Sequence, residues 1–371
     1  MMKVRIGIDG IGVVGGFGTG VSSFRAALGG RLSAPTMMPG RKGDGPSDLP
    51  VFLADTSRLE RYISQKELRR ISHHSRLALL GAHLAFEDAG ALPKDLGRLG
   101  IVIATGYGPS QSTFKFLDSV FDDGVECASP THFAGSVHIS AAAHIAMKLG
   151  ICGPDHTVSQ FEMSVPSALL TACLWLTEDR LDAVLLGGVD EYCGVLGYCR
   201  RRFFGAVGRE GMQALDLERQ TAVAGEGAAF LLMSRAMGPG ARYAVMDEVE
   251  VGRRPGGIAE LVPPRAVMLL GADGCKKFGW KYLRDAEEGQ EVVCYSSLYG
   301  SLPVGFGFQL AAAALMVTEG KIFAAPKPLP THGLLSVVEK DRDLDGRPVC
   351  CLKRGAGGNL AVVILSGNEV F

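Results

Sequence analysis

Residues 157–172 read TVSQFEMSVPSALLTA. The β-branched start reads as the end of a strand over 155–160. A carboxylate, Glu162, follows, and from Met163 onward the run is helix-like, with Pro166 near a first turn where a missing N–H does no harm. A buried strand that passes through one charged residue into an apolar helix is the joint of an α/β unit. The rest of the chain repeats that grammar.

Residues 3–9 read as a strand, followed by a Gly-rich turn and a helix near 20–28. Residues 30–58 are polar, carry Pro and Gly, and read as a surface loop. The period of 66–90 is helical, with Leu77, Leu80, His83 and Leu84 on one face and Asp88-Ala89-Gly90 as its end. A buried strand at 100–104, a long excursion, the helix-like SVHISAAAHIAMKLG and strands at 183–187 and 228–233 complete the first part. After Pro239 the grammar restarts: ARYAVMDEVEVG is a strand, AVMLLGADG and EVVCYSSLYG end two more, FGFQLAAAALMVTEGKI is a helix and LAVVILSG is a last strand. Alternation in both parts predicts an α/β fold with covered sheets and a degenerate internal duplication.

Composition is that of a globular protein: 47% hydrophobic, 21% charged and a formal net charge of −1 over 371 residues. Such a balance gives no field for nucleic acid or anionic lipid. Nine cysteines form no CxxC pair, and an odd count cannot all be paired internally. A reducing, cytoplasmic compartment is therefore expected. MMKVRIGIDG is a strand start without a signal-peptide core, and no apolar run is long enough to predict a membrane span.

GIDGIGVVGG places Gly10, Gly12 and Gly15 in a literal G-x-G-x-x-G after a strand. A dinucleotide site needs an acidic residue about 20 positions on, and no Asp or Glu lies between Gly15 and Gly43. No cofactor is expected. HExxH, clustered Cys/His spacing and the GxSxG elbow are also missing, which removes metal and Ser-hydrolase chemistry. Arg69-Arg70-Arg76 with His73-His74, and Arg200-Arg201-Arg202, read as solvated basic faces, with docking of an acidic partner as the alternative.

Taken in order, the motifs resemble the β-ketoacyl-acyl-carrier-protein synthases over nearly the whole chain. RIGIDGIGVVGGFGTG is similar to their opening strand and loop, and ELRRISHHSRLALLGAHLAFEDAGAL to their RR…S…A…A…DAG helix. SPTHFAGSVHISAAAHIAMKLGICGP resembles the segment before their nucleophile, and LDAVLLGGVDE and VAGEGAAFLLM two further signatures. GAGGNLAVVIL resembles the closing glycine loop, here Gly355, Ala356, Gly357 and Gly358, and its strand. The resemblance implies the thiolase-like fold: two similar α/β halves, 1–238 and a shortened 239–371, stacked in five α/β/α/β/α layers as one compact domain and acting as a dimer.

A working family member carries a cysteine at a buried helix N-terminus, whose thiolate the helix dipole favours, and two histidines for decarboxylation and enolate stabilisation. The nucleophile motif runs roughly T-V-S-x-A-C-A-S-G-x-x-A; Thr157, Val158, Ser159 and Ala168 match it, and the cysteine column falls on Glu162. By the same resemblance Asp273 occupies the first histidine column, Ser301 the second and Ser296 that of a nearby lysine. Beyond residue 239 the chain has one histidine, His332, so two cannot both be present there. No cysteine opens a helix in the right context either; Cys173 lies turns deeper.

Within the family, the pattern is closest to the chain length factors, the partner subunits of type II polyketide ketosynthases. They lose the histidines as well as the cysteine and often carry an Ala-Asp pair, as Ala272-Asp273 does. The implied function is a catalytically silent subunit that pairs with an active ketosynthase, meets an acyl carrier protein and shapes the acyl tunnel. Phe133 and His138 in THFAGSVH are expected at that boundary, and Thr157, Val158, Ser159 and Gln160 along a strand that pairs across the dimer axis. Two alternatives stay open: a residual malonyl decarboxylase or acyltransferase-type enzyme using Glu162, and a homodimeric carrier-protein-binding scaffold. For Glu162 itself the expectation is structural: its carboxylate accepts the free N–H groups at the start of the 163–178 helix.

Overall fold

The computed structural model describes residues 2–39, 48–205, 211–216, 218–235, 241–255, 257–285, 289–326 and 335–367. His332 and the expected boundary at 238–239 lie outside them. One continuous sheet organises the chain. Its strands are β1 (Met2–Gly15), β2 (Leu99–Ala104), β3 (Asp155–Val158), β4 (Ala183–Asp190), β5 (Gly227–Arg235) and β6 (Val245–Arg253). They continue with β7 (Val267–Leu270), β8 (Glu291–Val293), β9 (Ser336–Val337), β10 (Val349–Arg354) and β11 (Asn359–Ser366). Across the sheet the order is β9-β8-β7-β10-β11-β6-β1-β5-β4-β2-β3, with Gly18–Thr19 folded back on β1.

The same wiring occurs twice. From β1 through β5, β4, β2 and β3 the neighbours pair antiparallel, antiparallel, parallel and parallel. From β6 through β11, β10, β7 and β8 the succession is identical. The residues Met2–Gly7 of β1 join the two runs by pairing antiparallel with β6.

The described helices that matter here are α1 (Gly20–Leu28), α2 (His73–Ala89), α3 (Ser110–Phe121), α4 (Pro130–Ser136), α5 (Ser140–Leu149), α6 (Ser164–Thr177), α7 (Gly194–Phe204) and α8 (Gly305–Glu319). Period-two alternation sorts the strand residues into layers. On β4, Val184 and Leu186 face a central core while Ala183 and Leu185 face an outer one with α2 and α5. On β7, Val267 and Leu269 face the same central core while Met268 and Leu270 face a third. Helices α6 and α8 fill the central layer, and every residue of α8 from Gly305 to Met316 is buried. A helix without a polar face belongs in the middle of a large core. Three cores separated by two sheet runs are the expected five layers.

Local differences have local causes. The helix expected over 66–90 starts at His73, because the Ser72 hydroxyl caps it by accepting the Ser75 N–H at 3.2 Å; Gln65–Leu68 forms a separate short turn. Inside the expected loop 30–58, Thr36–Met38 pairs with Leu49–Phe52. The G-x-G-x-x-G glycines are packing residues. A Cβ on Gly12 would lie 1.9 Å from the Gly81 carbonyl oxygen, so β1 and α2 touch backbone to backbone there. Among the described residues no helix is long and apolar enough to cross a membrane.

Candidate functional site

The opening joint is built by an unusual turn. After β3, Phe161 adopts φ +49°, and Phe161–Met163 form a single 3₁₀ turn before α6 begins at Ser164. Positive φ is costly for a bulky residue, and side-chain bonds hold it. The Ser164 hydroxyl accepts the Gln160 N–H at 2.7 Å and lies 2.9 Å from the Thr105 carbonyl oxygen. Glu162 does not cap α6, contrary to expectation: Met163 is the residue before the helix, and no side-chain cap bond is made there. A carboxylate placed one residue too early, inside a 3₁₀ turn, cannot fold back onto the N–H groups. It lines a cavity instead.

Two loops of the second half meet close by. Asp273 follows β7 and Ser301 follows the segment after β8, and the Ser301 hydroxyl donates to Asp273 Oδ2 at 2.5 Å. Gly300, at φ +87°, allows this approach: a Cβ there would lie 2.8 Å from the Gly225 Cα. Ser296 is tied off by donating to the Ala272 carbonyl at 2.5 Å. Arg200 of α7 then reaches in from the first half. Its Nη2 donates to Ser301 Oγ at 2.7 Å, its Nη1 to Tyr107 Oη at 3.4 Å, and its guanidinium lies 5.7 Å from the Phe204 ring centroid. The basic stretches are therefore not simple solvated faces. Arg200 points inward, His74 is fully buried and Arg76 donates to backbone carbonyls, while Arg69 and Arg70 are exposed.

The cavity beside this cluster has a volume of about 640 Å³. Glu162, Arg200 and Tyr107 line it together with Phe203, Phe204 and Phe278. Gln160 and the loop residues Gly355, Ala356 and Gly357 line it too, and Gly358 follows at φ +84°. Of the positions singled out from the sequence, the chain thus gathers Glu162, Gln160 and the glycine loop around one space, with Asp273 and Ser301 joined to it through Arg200. The others lie elsewhere. Thr157 and Val158 pair with Ile103 and Ala104 on the last strand of the sheet, and Ser159 is exposed after them. Phe133 is 56% exposed with its ring 5.3 Å from that of Phe116, and His138 packs over Gly108 beside Tyr107. Tyr107 was not singled out from the sequence, and Arg200 was read there only as part of a basic face. The available signal was a charged run ending in Phe203-Phe204, which a solvated helix face does not explain.

Beneath Tyr107 lies a buried polar layer. Asp190 accepts the N–H groups of Gly106 and Tyr107 at 2.9 Å and the Thr105 hydroxyl at 2.8 Å, and burial pushes its carboxyl up to about 6. His74 meets the same hydroxyl at 3.3 Å, and burial holds its imidazole down at about 3. Glu226 joins His73 at 3.1 Å and the Tyr192 N–H at 2.9 Å. Glu191 accepts the Gln111 N–H at 2.7 Å through one oxygen, while the other is buried without a partner, and burial pushes this carboxyl up to about 7.

A raised carboxyl holds its proton in the folded chain where the unfolded chain has lost it, so the stability linked to Glu191 falls as pH rises from about 4 through about 7. Glu191→Gln is expected to melt less differently from pH 5 to pH 8 than the parent, and above it at pH 8. Equal destabilisation at both pH values in thermal melts would refute this.

Cys173 and Cys193 offer no substitute nucleophile here, while the half-buried Cys199 lines the cavity from α7. Cys173 is buried in α6, and burial pushes it up to about 12. Cys193 does stand at the start of α7, but burial raises it as well, and it lines a separate cavity of about 510 Å³.

Comparison with known proteins places this geometry. The family model "Beta-ketoacyl synthase, N-terminal domain" matches residues 5–237. The 3-oxoacyl-[acyl-carrier-protein] synthase I, chloroplastic, of Hordeum vulgare is 25% identical over 253 residues, covering 62% of this chain and 53% of the relative. The chain spans about half the length of the curated relatives it matches. The solved ishigamide ketosynthase/chain length factor superposes with a TM-score of 0.83 at 22% identity, over 99% of this chain and 100% of that one. A type II polyketide synthase acyl-carrier protein in complex with its ketosynthase bound to the hexaketide gives 0.80 at 18%, over 99% and 100%. At such identities these structures establish the fold, which is thiolase-like.

Proposed function

This chain belongs to the β-ketoacyl synthase family, and from that premise we propose that it is a condensation-silent, chain length factor-like subunit. It pairs with an active ketosynthase in fatty acid or polyketide-type biosynthesis, and its loops wall the partner's acyl tunnel. One observation supports the reading: of Glu162, Asp273 and Ser301, which the resemblance sets in the columns of the family's Cys, His and His, Ser301 donates to Asp273 and accepts a hydrogen bond from Arg200. None of the three is a nucleophilic thiolate or an imidazole.

Pairing is supported by the edge of the sheet. Among the described residues strand β3 is bonded to β2 on one side only, and an open edge is a template for another chain. Phe121, Val125, Phe133 and Met147 expose apolar side chains on elements that lead in series from α3 to β3, a surface of the kind that marks an interface. The Phe133–His138 segment belongs to that surface in this reading. The division into halves 1–238 and 239–371 rests on the repeated strand wiring.

Co-expression with an active ketosynthase and its carrier protein is expected to give a one-to-one complex with an obligate-size interface. Intact-mass spectrometry should find no acyl thioester on this subunit after incubation with acyl carrier. A stoichiometric thioester, or a homodimer that ignores the ketosynthase, counts against the reading. Glu162, which takes no hydrogen bond among the described residues and lines a cavity, supports a second reading, a general base for decarboxylation. Loss of product in an assembled Glu162→Gln complex would favour that one.

A further inference from the structure

Glu162 and Arg200 carry opposite charges on the walls of one cavity, and among the described residues no ion pair forms between them. Arg200 is held away by Ser301 and Tyr107. Those bonds occupy two of the five N–H donors of a guanidinium and fix its orientation. Among the described residues none donates a hydrogen bond to the Glu162 carboxylate, and the 3₁₀ turn fixes its backbone. The lining also carries the apolar side chains of Phe203, Phe204, Phe278, Leu196 and Met163, beside the polar Gln160 and Asn359. Unpaired charges facing an apolar space are costly, and whatever displaces their water must replace it.

We propose that this cavity is a binding site for a zwitterion, an amino acid-type molecule whose ammonium meets Glu162, whose carboxylate meets Arg200 and whose apolar body lies against Phe203, Phe204 and Phe278. A net-neutral ligand of this kind satisfies both walls, and the carboxylate gains charge-assisted bonds from an already oriented guanidinium. A ligand with one charge leaves the opposite wall desolvated and unpaired. A neutral ester or thioester leaves both. A silent subunit with such a site would sense a metabolite as well as shape a tunnel. This goes beyond the function proposed above and does not rest on it.

The test is calorimetric titration of the folded full chain with L-phenylalanine, L-leucine and 6-aminohexanoate, each beside its N-acetyl and methyl-ester derivative. At least one free zwitterion should bind saturably, one per chain. Blocking either charge should weaken it about tenfold or more, the factor given by about 1.4 kcal/mol. In Glu162→Gln the N-acetyl derivative should lose its disadvantage, and in Arg200→Met the ester should. Where Arg200→Met does not fold, Glu162→Gln, a near-isosteric change at a half-buried position, decides alone. The proposal is overturned if none of the three zwitterions binds, or if a blocked derivative binds as tightly as its parent; either result leaves the silent-subunit reading standing.

Discussion

Restoring the family's reactive groups together, Glu162→Cys, Asp273→His and Ser301→His, is expected to give a protein that condenses nothing and melts well below the parent. The Ser301 position is the obstacle. It is 4% exposed, its hydroxyl is shared between Arg200 and Asp273, and Gly300 before it packs backbone to backbone on Gly225. An imidazole there overfills the space, at a cost on the order of 1–3 kcal/mol, and leaves the guanidinium short of an acceptor, a further ~1–3 kcal/mol. The new imidazoles must also work beside a fixed cation, which disfavours their protonated forms. Ser296, bonded to the Ala272 carbonyl, cannot replace the lysine. Catalysis needs groups placed within fractions of an ångström. A condensation assay with acyl and malonyl carriers, run beside a thermal melt, checks this; robust turnover by a variant as stable as the parent would show that Arg200 does not lock the site.

The alternation of strands and helices was legible because the buried strands are short apolar runs, as β4 is, and the central helix α8 is apolar over its buried length. The columns proposed for Glu162, Asp273 and Ser301 rest on order along the chain, since each comes after a strand. What the sequence did not disclose depends on direction rather than identity. Glu162 looks like a helix cap until the backbone at Phe161 turns to positive φ. Arg200 looks like a surface charge until its neighbours across the halves, Ser301 and Tyr107, are known. Neither partner is within 90 positions of it, so no local pattern could pair them. The glycine motif at Gly10 has two readings by itself, because close packing and phosphate binding ask for the same residue, and the missing acidic residue decided against the second.

Asp285→Ala is expected to cost about 3–5 kcal/mol and to loosen the wall of the cavity. Arg354, the last residue of β10, donates through its Nε and Nη2 to the two carboxylate oxygens of Asp285, whose side chain is fully buried while that of Arg354 is 13% exposed. Removing one member of such a pair strands the other charge in a medium that cannot solvate it, which costs far more than the pair contributes. The position also has leverage. Arg354 directly precedes the glycine loop, its own N–H donates to Tyr282 Oη at 3.1 Å, and Lys281 donates to the Ala356 carbonyl at 3.1 Å. Together these bonds hold the loop that lines the cavity with Glu162. Replacing both members, Asp285→Ala with Arg354→Met, removes the stranded charge and should recover most of the lost stability. Chemical denaturation of the two single variants and the double variant closes the cycle. A loss below about 1 kcal/mol for Asp285→Ala, or a double variant no more stable than that single one, would mean that the pair is solvated and that the loop is held by its backbone bonds alone.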